Sequence, residues 1–208
     1  MAVFNNAQAR GCVAGGIAFA NSYGGWTFGQ HQLEELAERG PKHVSAFQAT
    51  AWFPAAAQGQ VTINFGLKIP ARTFSTEGLC YFHALKHARR MLKSGVCQHM
   101  FVGSAETFGT AWLRSSLNRD PAEDCATWLL VQSEDDEPGE EAIALRYLDL
   151  SPASEEIARD LAQPDGSSCA LPIAIERVRI GGPPVEIAGL WVVRDQDRVV
   201  VSPQGRMP

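Results

Sequence analysis

The residues of this chain that could do chemistry lie at the start of one predicted helix, Gly78 to Lys93. Cys80 lies two residues into that helix, where the helix dipole lowers the pKa of a thiol and favours the nucleophilic thiolate. Glu77 directly precedes the helix, where the same dipole stabilises a carboxylate. His83 and His87 are spaced i, i+4 on one helix face, but no third residue completes a metal-ligand pattern. Surface or interface histidines are therefore expected, and no metal.

Cys80 and Glu77 each have a second interpretation that needs no chemistry. Leu79 and Tyr81 flank Cys80, so a buried core thiol is the alternative to a nucleophile. Acids are common at helix starts, so Glu77 is either a simple N-terminal acid or a group that fills a pocket or a partner's channel. The sequence leaves these alternatives open.

No cofactor is expected from the remaining patterns. The chain has five cysteines, scattered and without a CxxC pair, which is typical of reduced thiols and not of a disulfide framework. The glycines at 15, 16, 24 and 25 lack the GxGxxG spacing of a dinucleotide-binding turn.

The bulk composition predicts a compact chain with a real core. Its 208 residues are 45% hydrophobic and 20% charged, and the formal net charge is −5. Such a charge argues against nucleic acid as a partner, because phosphate binding needs a basic surface. No run approaches the roughly 20 apolar residues of a membrane span, and residues 1–11 lack the layout of a signal peptide. A cytoplasmic protein without a membrane partner is expected.

Strands and helices alternate along residues 11–133, which predicts an α/β fold with a parallel or mixed sheet and helices packed on it. The first strand is predicted at 11–20, and Leu33 and Leu36 mark the apolar side of a helix that follows. Further strands are expected near 71–75, 98–103 and 125–133, with a short helix around 108–117. Beyond residue 133 the pattern predicts a strand at 142–148, a helix at 154–162 and a hairpin of 185–193 with 199–201.

Several short motifs follow one another in order between residues 44 and 133. An Ala-rich and aromatic segment, ATAWFPAAAQGQVTINF, leads to the turn GLKIP, the strand ARTFS and the buried helix; the strand HMFVGSAE and the segment RDPAEDCATWLLVQS come next. In this order the segment from Val44 to Glu106 resembles the N-terminal half of the β-ketoacyl synthases, which have a thiolase-like fold. That family has a GL-x-GP turn, a T-A-C-S-S elbow and a strand that ends in G-G-x-E. The resemblance covers roughly residues 11–133.

The resemblance implies a chain that lacks the catalytic residues of the family. It places Gly78 where the family has its nucleophilic Cys and Glu77 where the family has Ala, and glycine cannot carry an acyl thioester. The family's active-site His and Lys residues come from a C-terminal half that has no match here. The chain thus resembles a non-catalytic, chain-length-factor-type protein. The aromatic segment implies an acyl channel, although core packing is the alternative, and the candidate lining residues are Trp52, Phe53, Phe65, Glu77 and Phe82.

Three segments are expected from these patterns. Residues 1–133 form a β-ketoacyl synthase-like N-terminal domain, residues 134–141 form an acidic linker, and residues 142–208 form an extension of the same domain. The helix over 78–88 is apolar nearly all round and needs a covering layer. Either a homodimer or heterodimer with a ketosynthase-type chain supplies that cover, or the extension folds back over it.

Three functions are compatible with this interpretation. The first is an inactive ketosynthase-like subunit of polyketide or fatty-acid biosynthesis, which pairs with a ketosynthase or an acyl carrier protein and shapes an acyl channel. The second is a scaffold or binding module that kept the fold without acyl chemistry. The third is an acyl-thioester enzyme with reassigned residues, Glu77 or Cys80.

Overall fold

The structure is a computed structural model of the 208-residue chain. The residues that it describes are 15–76, 80–107, 109–110, 112, 115, 125–132, 143–144, 185–187, 190–195 and 198–203. Within them, no helix combines the length and the apolar character that a membrane crossing requires.

One mixed sheet of four strands organises the first part of the chain. Its strands are β1 (Ile17–Ala20), β2 (Ala71–Phe74), β3 (His99–Glu106) and β4 (Cys125–Gln132), in the order β2-β1-β3-β4. The central strand β1 runs parallel to both neighbours, whereas β4 is antiparallel to β3. All four residues of β1 are buried, as expected for a strand covered on both faces. The predicted α/β fold with a mixed sheet is confirmed.

The α-helices with given bounds in this part of the chain are α1 (Trp26–Arg39), α2 (Gln48–Ala51), α3 (Ala56–Asn64) and α4 (Cys80–Lys93), and the described residues 112 and 115 are helical as well. A short 3₁₀ turn, Pro41–His43, follows α1. The chain leaves α3 through Gly66, whose φ of +60° is a conformation that glycine adopts without strain.

One face of the sheet is covered by α3. Ile17, Phe19 and Phe101 are buried on this face and form a cluster. Side chains of α3 and of the turn after it pack on the cluster, and they include Ala57, Val61, Phe65, Leu67 and Ile69. Trp128 of β4 joins them, with its ring 5.3 Å from that of Phe19.

The other face is covered by α4. Phe74 lies opposite Ala20 in the β1–β2 register, and alternation along the strand places both on the face that Phe19 does not share. The Phe74 ring contacts His83 and His87 of α4. The sheet is therefore a middle layer between α3 and α4.

Eight residue pairs between β3 and β4 fix the register at the edge of the sheet opposite β2. They run from His99 opposite Gln132 to Glu106 opposite Cys125. Gly103 lies opposite Trp128, and a Cβ at Gly103 would come within 2.5 Å of the Trp128 ring. Only glycine leaves room for the indole at this position.

A second sheet of four strands follows in the sequence. Its strands are β5 (Ile143–Ala144), β6 (Val185–Ile187), β7 (Leu190–Asp195) and β8 (Arg198–Pro203), in the order β5-β8-β7-β6. The predicted hairpin is wrong in one respect: residues 185–193 do not form one strand but contribute to two, β6 and β7, which pair antiparallel. The division at residues 133 and 141 stays a prediction.

Two further expectations about helices have different outcomes. Leu33 and Leu36, which mark the apolar side of α1 in the sequence, are 56% and 43% exposed, and the buried residues of α1 are Gly29 and Gln32. The apolar half of α4 is buried within the single chain, including Leu85 at 3% exposure. The predicted linker 134–141 and the predicted helix 154–162 lie outside the described residues, as does most of the segment 108–117.

Candidate functional site

Three polar residues meet where β1 and β3 end and α4 begins. Ser22 follows β1, Glu106 ends β3 and Cys80 is the first residue of α4 in the described structure. The parallel register places Ser104 opposite Ala20, so Glu106 lies beside Ser22 two residues further along. The carboxyl ends of parallel strands are where α/β sheets usually carry their sites.

Glu106 is a buried carboxylate that holds the loop after β1. It is 1% exposed, and it accepts the backbone N–H of Ser22 at 2.6 Å and that of Tyr23 at 3.3 Å, one on each carboxylate oxygen. Successive backbone N–H groups directed at one anion compensate part of its lost hydration. Asn21 also stabilises this turn, because its side-chain oxygen accepts the N–H of Gly24.

Cys80 is fully buried beside this carboxylate. Its Sγ lies 3.0 Å from the Ser22 hydroxyl oxygen. Burial raises the pKa of the thiol, the negative charge of Glu106 raises it further, and the hydrogen bond with Ser22 opposes both. Reactive cysteines have the opposite environment, exposed and electropositive.

Tyr81, the next residue of α4, is a second large part of the buried start of the helix. It is 1% exposed, and burial raises the pKa of its hydroxyl. Phe82 beside it is 8% exposed. The first described turn of α4 therefore carries large buried side chains.

Comparison with known proteins finds similar proteins over part of the chain. No protein-family model matches the chain. The ketoacyl synthase beta subunit of the tetracenomycin polyketide synthase from Streptomyces glaucescens is 35% identical over 97 residues, which are 47% of this chain and 24% of that protein. A solved type II polyketide synthase acyl carrier protein in complex with its ketosynthase bound to the hexaketide matches at 27% identity and TM-score 0.51, over 57% of this chain and 39% of that one.

The resemblance to the β-ketoacyl synthases is confirmed. The ishigamide ketosynthase/chain length factor shares the fold, with TM-score 0.53 at 22% identity over 70% of this chain and 45% of that chain. The mixed sheet with packed helices is therefore a thiolase-like ketosynthase fold. The chain spans about a quarter of the length of the tetracenomycin relative that it matches.

The candidate channel residues of this ketosynthase-like chain do not lie in one place. Trp52 and Phe53 are 47% and 55% exposed on the surface beside α1, so core packing does not account for them. Phe65 packs on the α3 face of the sheet, whereas Phe82 is buried on α4 on the opposite side. Glu77 lies outside the described residues. The channel that these five residues were expected to line stays a prediction.

Gly78, where the resemblance puts the family's nucleophile, also lies outside the described residues, and that assignment stays a prediction. Cys80 is described, and its side chain is buried, which favours the core-thiol alternative; a chemical role for it stays untested. His83 and His87 lie against Phe74, with ring centroids 6.4 and 5.6 Å from it. They form part of the contact between α4 and β2.

Sequence reasoning missed Ser22 and Glu106 as members of the site. Glu106 is the last residue of VGSAE, which matches the G-G-x-E strand end of the family. The motif alone, however, does not predict what the carboxylate binds. Ser22 carried no signal, because its role depends on a backbone N–H and on the register of two strands distant in sequence.

Proposed function

We propose that this chain is a non-catalytic, chain-length-factor-type ketosynthase subunit of a type II polyketide synthase, which pairs with an active ketosynthase in the cytoplasm. Its relatives are ketosynthase beta subunits of polyketide synthases. A role in fatty-acid biosynthesis would use the same fold, but the beta-subunit relatives favour polyketides.

The state of Cys80 carries the proposal. A condensing enzyme needs a thiolate that can reach an acyl thioester. The thiol at the start of α4 is instead fully buried, its pKa is raised, and a carboxylate that would repel a thiolate lies beside it. Gly78 stands where the resemblance puts the nucleophile and has no side chain. Both features support a chain that does not catalyse condensation by itself.

An uncharged surface supports the pairing part of the proposal. Residues 44–67 contain no Asp, Glu, Lys or Arg, and Phe47, Trp52, Phe53 and Ile63 within them are 73%, 47%, 55% and 72% exposed. Large apolar side chains that face solvent in a segment without charges are typical of surfaces that bind a partner or an acyl chain.

A scaffold module without acyl chemistry is the second candidate. The observation that favours it is the separation of Phe65 and Phe82 by the sheet, because a channel on one face contacts only one of them. In that case the chain would stabilise a ketosynthase without contacting its acyl product.

Intact-mass measurement after incubation with hexanoyl-N-acetylcysteamine tests the loss of chemistry. We expect no acyl adduct on the chain. An adduct of the acyl mass that disappears in Cys80→Ala would contradict the proposal and favour an enzyme with reassigned residues.

Co-expression with a polyketide ketosynthase, followed by light scattering, tests the pairing. We expect a one-to-one complex, and product length in that complex should change when Trp52 or Phe53 is replaced by Ala. A complex whose products are unchanged would favour the scaffold, and a chain that never associates with any ketosynthase would overturn both.

A further inference from the structure

A basic cluster lies between β2 and the second half of α4, and its members are Arg72, His83, His87 and Arg90. Arg72 and Phe74 are two residues apart on β2, so both side chains lie on the face of the sheet that α4 covers. The rings of His83 and His87 contact the Phe74 ring from α4. Arg90 follows His87 by three residues and therefore lies on the same side of that helix.

The positive charge of this cluster is not neutralised in the described part of the chain. Residues 66–105 contain six Lys and Arg against one acid, a net charge of +5, whereas the whole chain carries −5. The two ion pairs among the described residues lie on α1, so neither Arg72 nor Arg90 has an acidic partner there. Burial lowers the pKa of His87, and Arg72 from β2 and Arg90 from α4 lower it further. Both guanidinium groups therefore act on the same imidazole, and an anion placed between them would be attracted by all three groups.

Phe74 holds one of these cations in position. The Arg72 guanidinium lies 5.4 Å from the centre of the Phe74 ring, within the range of a cation–π contact. This contact uses the flat face of the guanidinium, whereas its N–H donors point outward from its edge. Arg72 and Arg90 are both exposed, and His87 between them is half-buried. A cation that is already positioned loses less conformational freedom when it binds a ligand.

We propose that Arg72, His87 and Arg90 bind a dianionic phosphate group, either inorganic phosphate or the phosphate of a small monoester. Guanidinium groups match phosphate oxygens with paired hydrogen bonds, and a dianion neutralises two arginines, whereas a carboxylate carries a single charge. A nucleic acid is a poor ligand, because the chain as a whole is acidic. The proposal goes beyond the proposed function and does not depend on pairing with a ketosynthase.

Calorimetric titration of the chain with inorganic phosphate and with methyl phosphate, at constant ionic strength in chloride, tests the site. Binding of either supports the proposal, and the tighter of the two identifies the source of the phosphate. Arg72→Gln and Arg90→Gln should each weaken binding by about tenfold or more, because each removes a charge-assisted hydrogen bond. Arg39→Gln is the matched control, since that guanidinium already pairs with Glu35 at 2.8 Å on α1, and it should retain wild-type affinity. No binding of either phosphate, or equal affinity in all three variants, would overturn the proposal.

The imidazole of His87 gives a second measurement, which needs no variant. A bound phosphate offsets the charges of Arg72 and Arg90, so the pKa of His87 should rise when phosphate replaces chloride at the same ionic strength. Titration of the His87 ring protons by NMR measures the change, and His31, exposed on α1, is the internal comparison. An unchanged pKa of His87, or an equal rise at His31, would contradict the site. All these measurements use the chain alone, so failure to pair with a ketosynthase leaves their outcome unaffected.

Discussion

The two ends of α4 differ in almost every physical property. At its start, Cys80 and Tyr81 are buried and the neighbouring Glu106 is negative; Cys80 and Glu106 both bond to Ser22, whereas the buried Tyr81 hydroxyl has no hydrogen-bond partner in the described residues. Toward its end, Arg90 and Lys93 are exposed and belong to a positively charged surface. The described start of the helix is therefore buried, whereas its end is accessible.

An active condensing enzyme needs a reactive thiol and a stable fold at the same time. The difference between the two ends of α4 shows how these two requirements conflict. A reactive thiol at a helix start needs exposure and a lowered pKa, and both cost stability. A subunit that only pairs and positions can fill that space with large side chains and retain its surface. Four measurements test whether the buried start of α4 stabilises the fold and whether its exposed C-terminal end contributes little to that stability.

The largest effect is expected at Glu106. Glu106→Ala leaves the N–H groups of Ser22 and Tyr23 without their buried acceptor, so the free energy of unfolding should fall by about 2–4 kcal/mol. Urea unfolding followed by circular dichroism measures the change. Glu38→Ala, at an exposed acid of α1, serves as the control and should change stability little. A loss at Glu106 no larger than at Glu38 would show that the loop does not depend on the carboxylate.

A smaller effect is expected in the reactivity of Cys80. At neutral pH, its labelling by a maleimide should be at least about tenfold slower than that of the half-buried Cys97, because burial and Glu106 both disfavour the thiolate. Peptide mapping by mass spectrometry resolves the individual cysteines. Labelling of Cys80 ahead of Cys97 would mean that the start of α4 opens readily.

At the exposed C-terminal end of α4, Lys93→Glu tests how much the positive charges stabilise the fold. A cation in the last turn interacts favourably with the helix dipole, so its reversal should lower the free energy of unfolding by about 0.3–1 kcal/mol. Thermal unfolding at low salt measures this, with Lys42→Glu as the comparison. A loss as large as that of Glu106→Ala would remove the distinction between the two ends.

The smallest effect concerns His87. Burial, Arg72 and Arg90 lower its pKa in the folded state, so the unfolded chain takes up the proton first. Stability is therefore fully present above pH 6.5, the ordinary value, and declines as the pH falls below it. His87→Gln should flatten this decline, measured as the difference in unfolding midpoint between pH 7.5 and pH 5.5. An unchanged pH dependence in the variant would assign the decline to other groups.

Sequence reasoning recovered the layers better than the site. The alternation of strands and helices and the buried character of α4 were predictable, because periodic apolar positions determine which side of an element is covered. Leu33 and Leu36 show the limit of that argument: their spacing is helical, but the tertiary structure buries Gly29 and Gln32 on α1 instead. The group formed by Ser22, Cys80 and Glu106 depends on strand register, which local patterns do not encode.

The paired strands β3 and β4 determine which insertions and deletions the chain can accept. Their eight pairs set the register independently of the connection between residues 106 and 125, and lengthening a loop costs little free energy. Losing one residue inside β4 is a different event, because a shift by one transfers Trp128 from the side of Phe19 to the side of α4. Length variation among related chains should therefore accumulate in that connection and be absent from the strand that follows it.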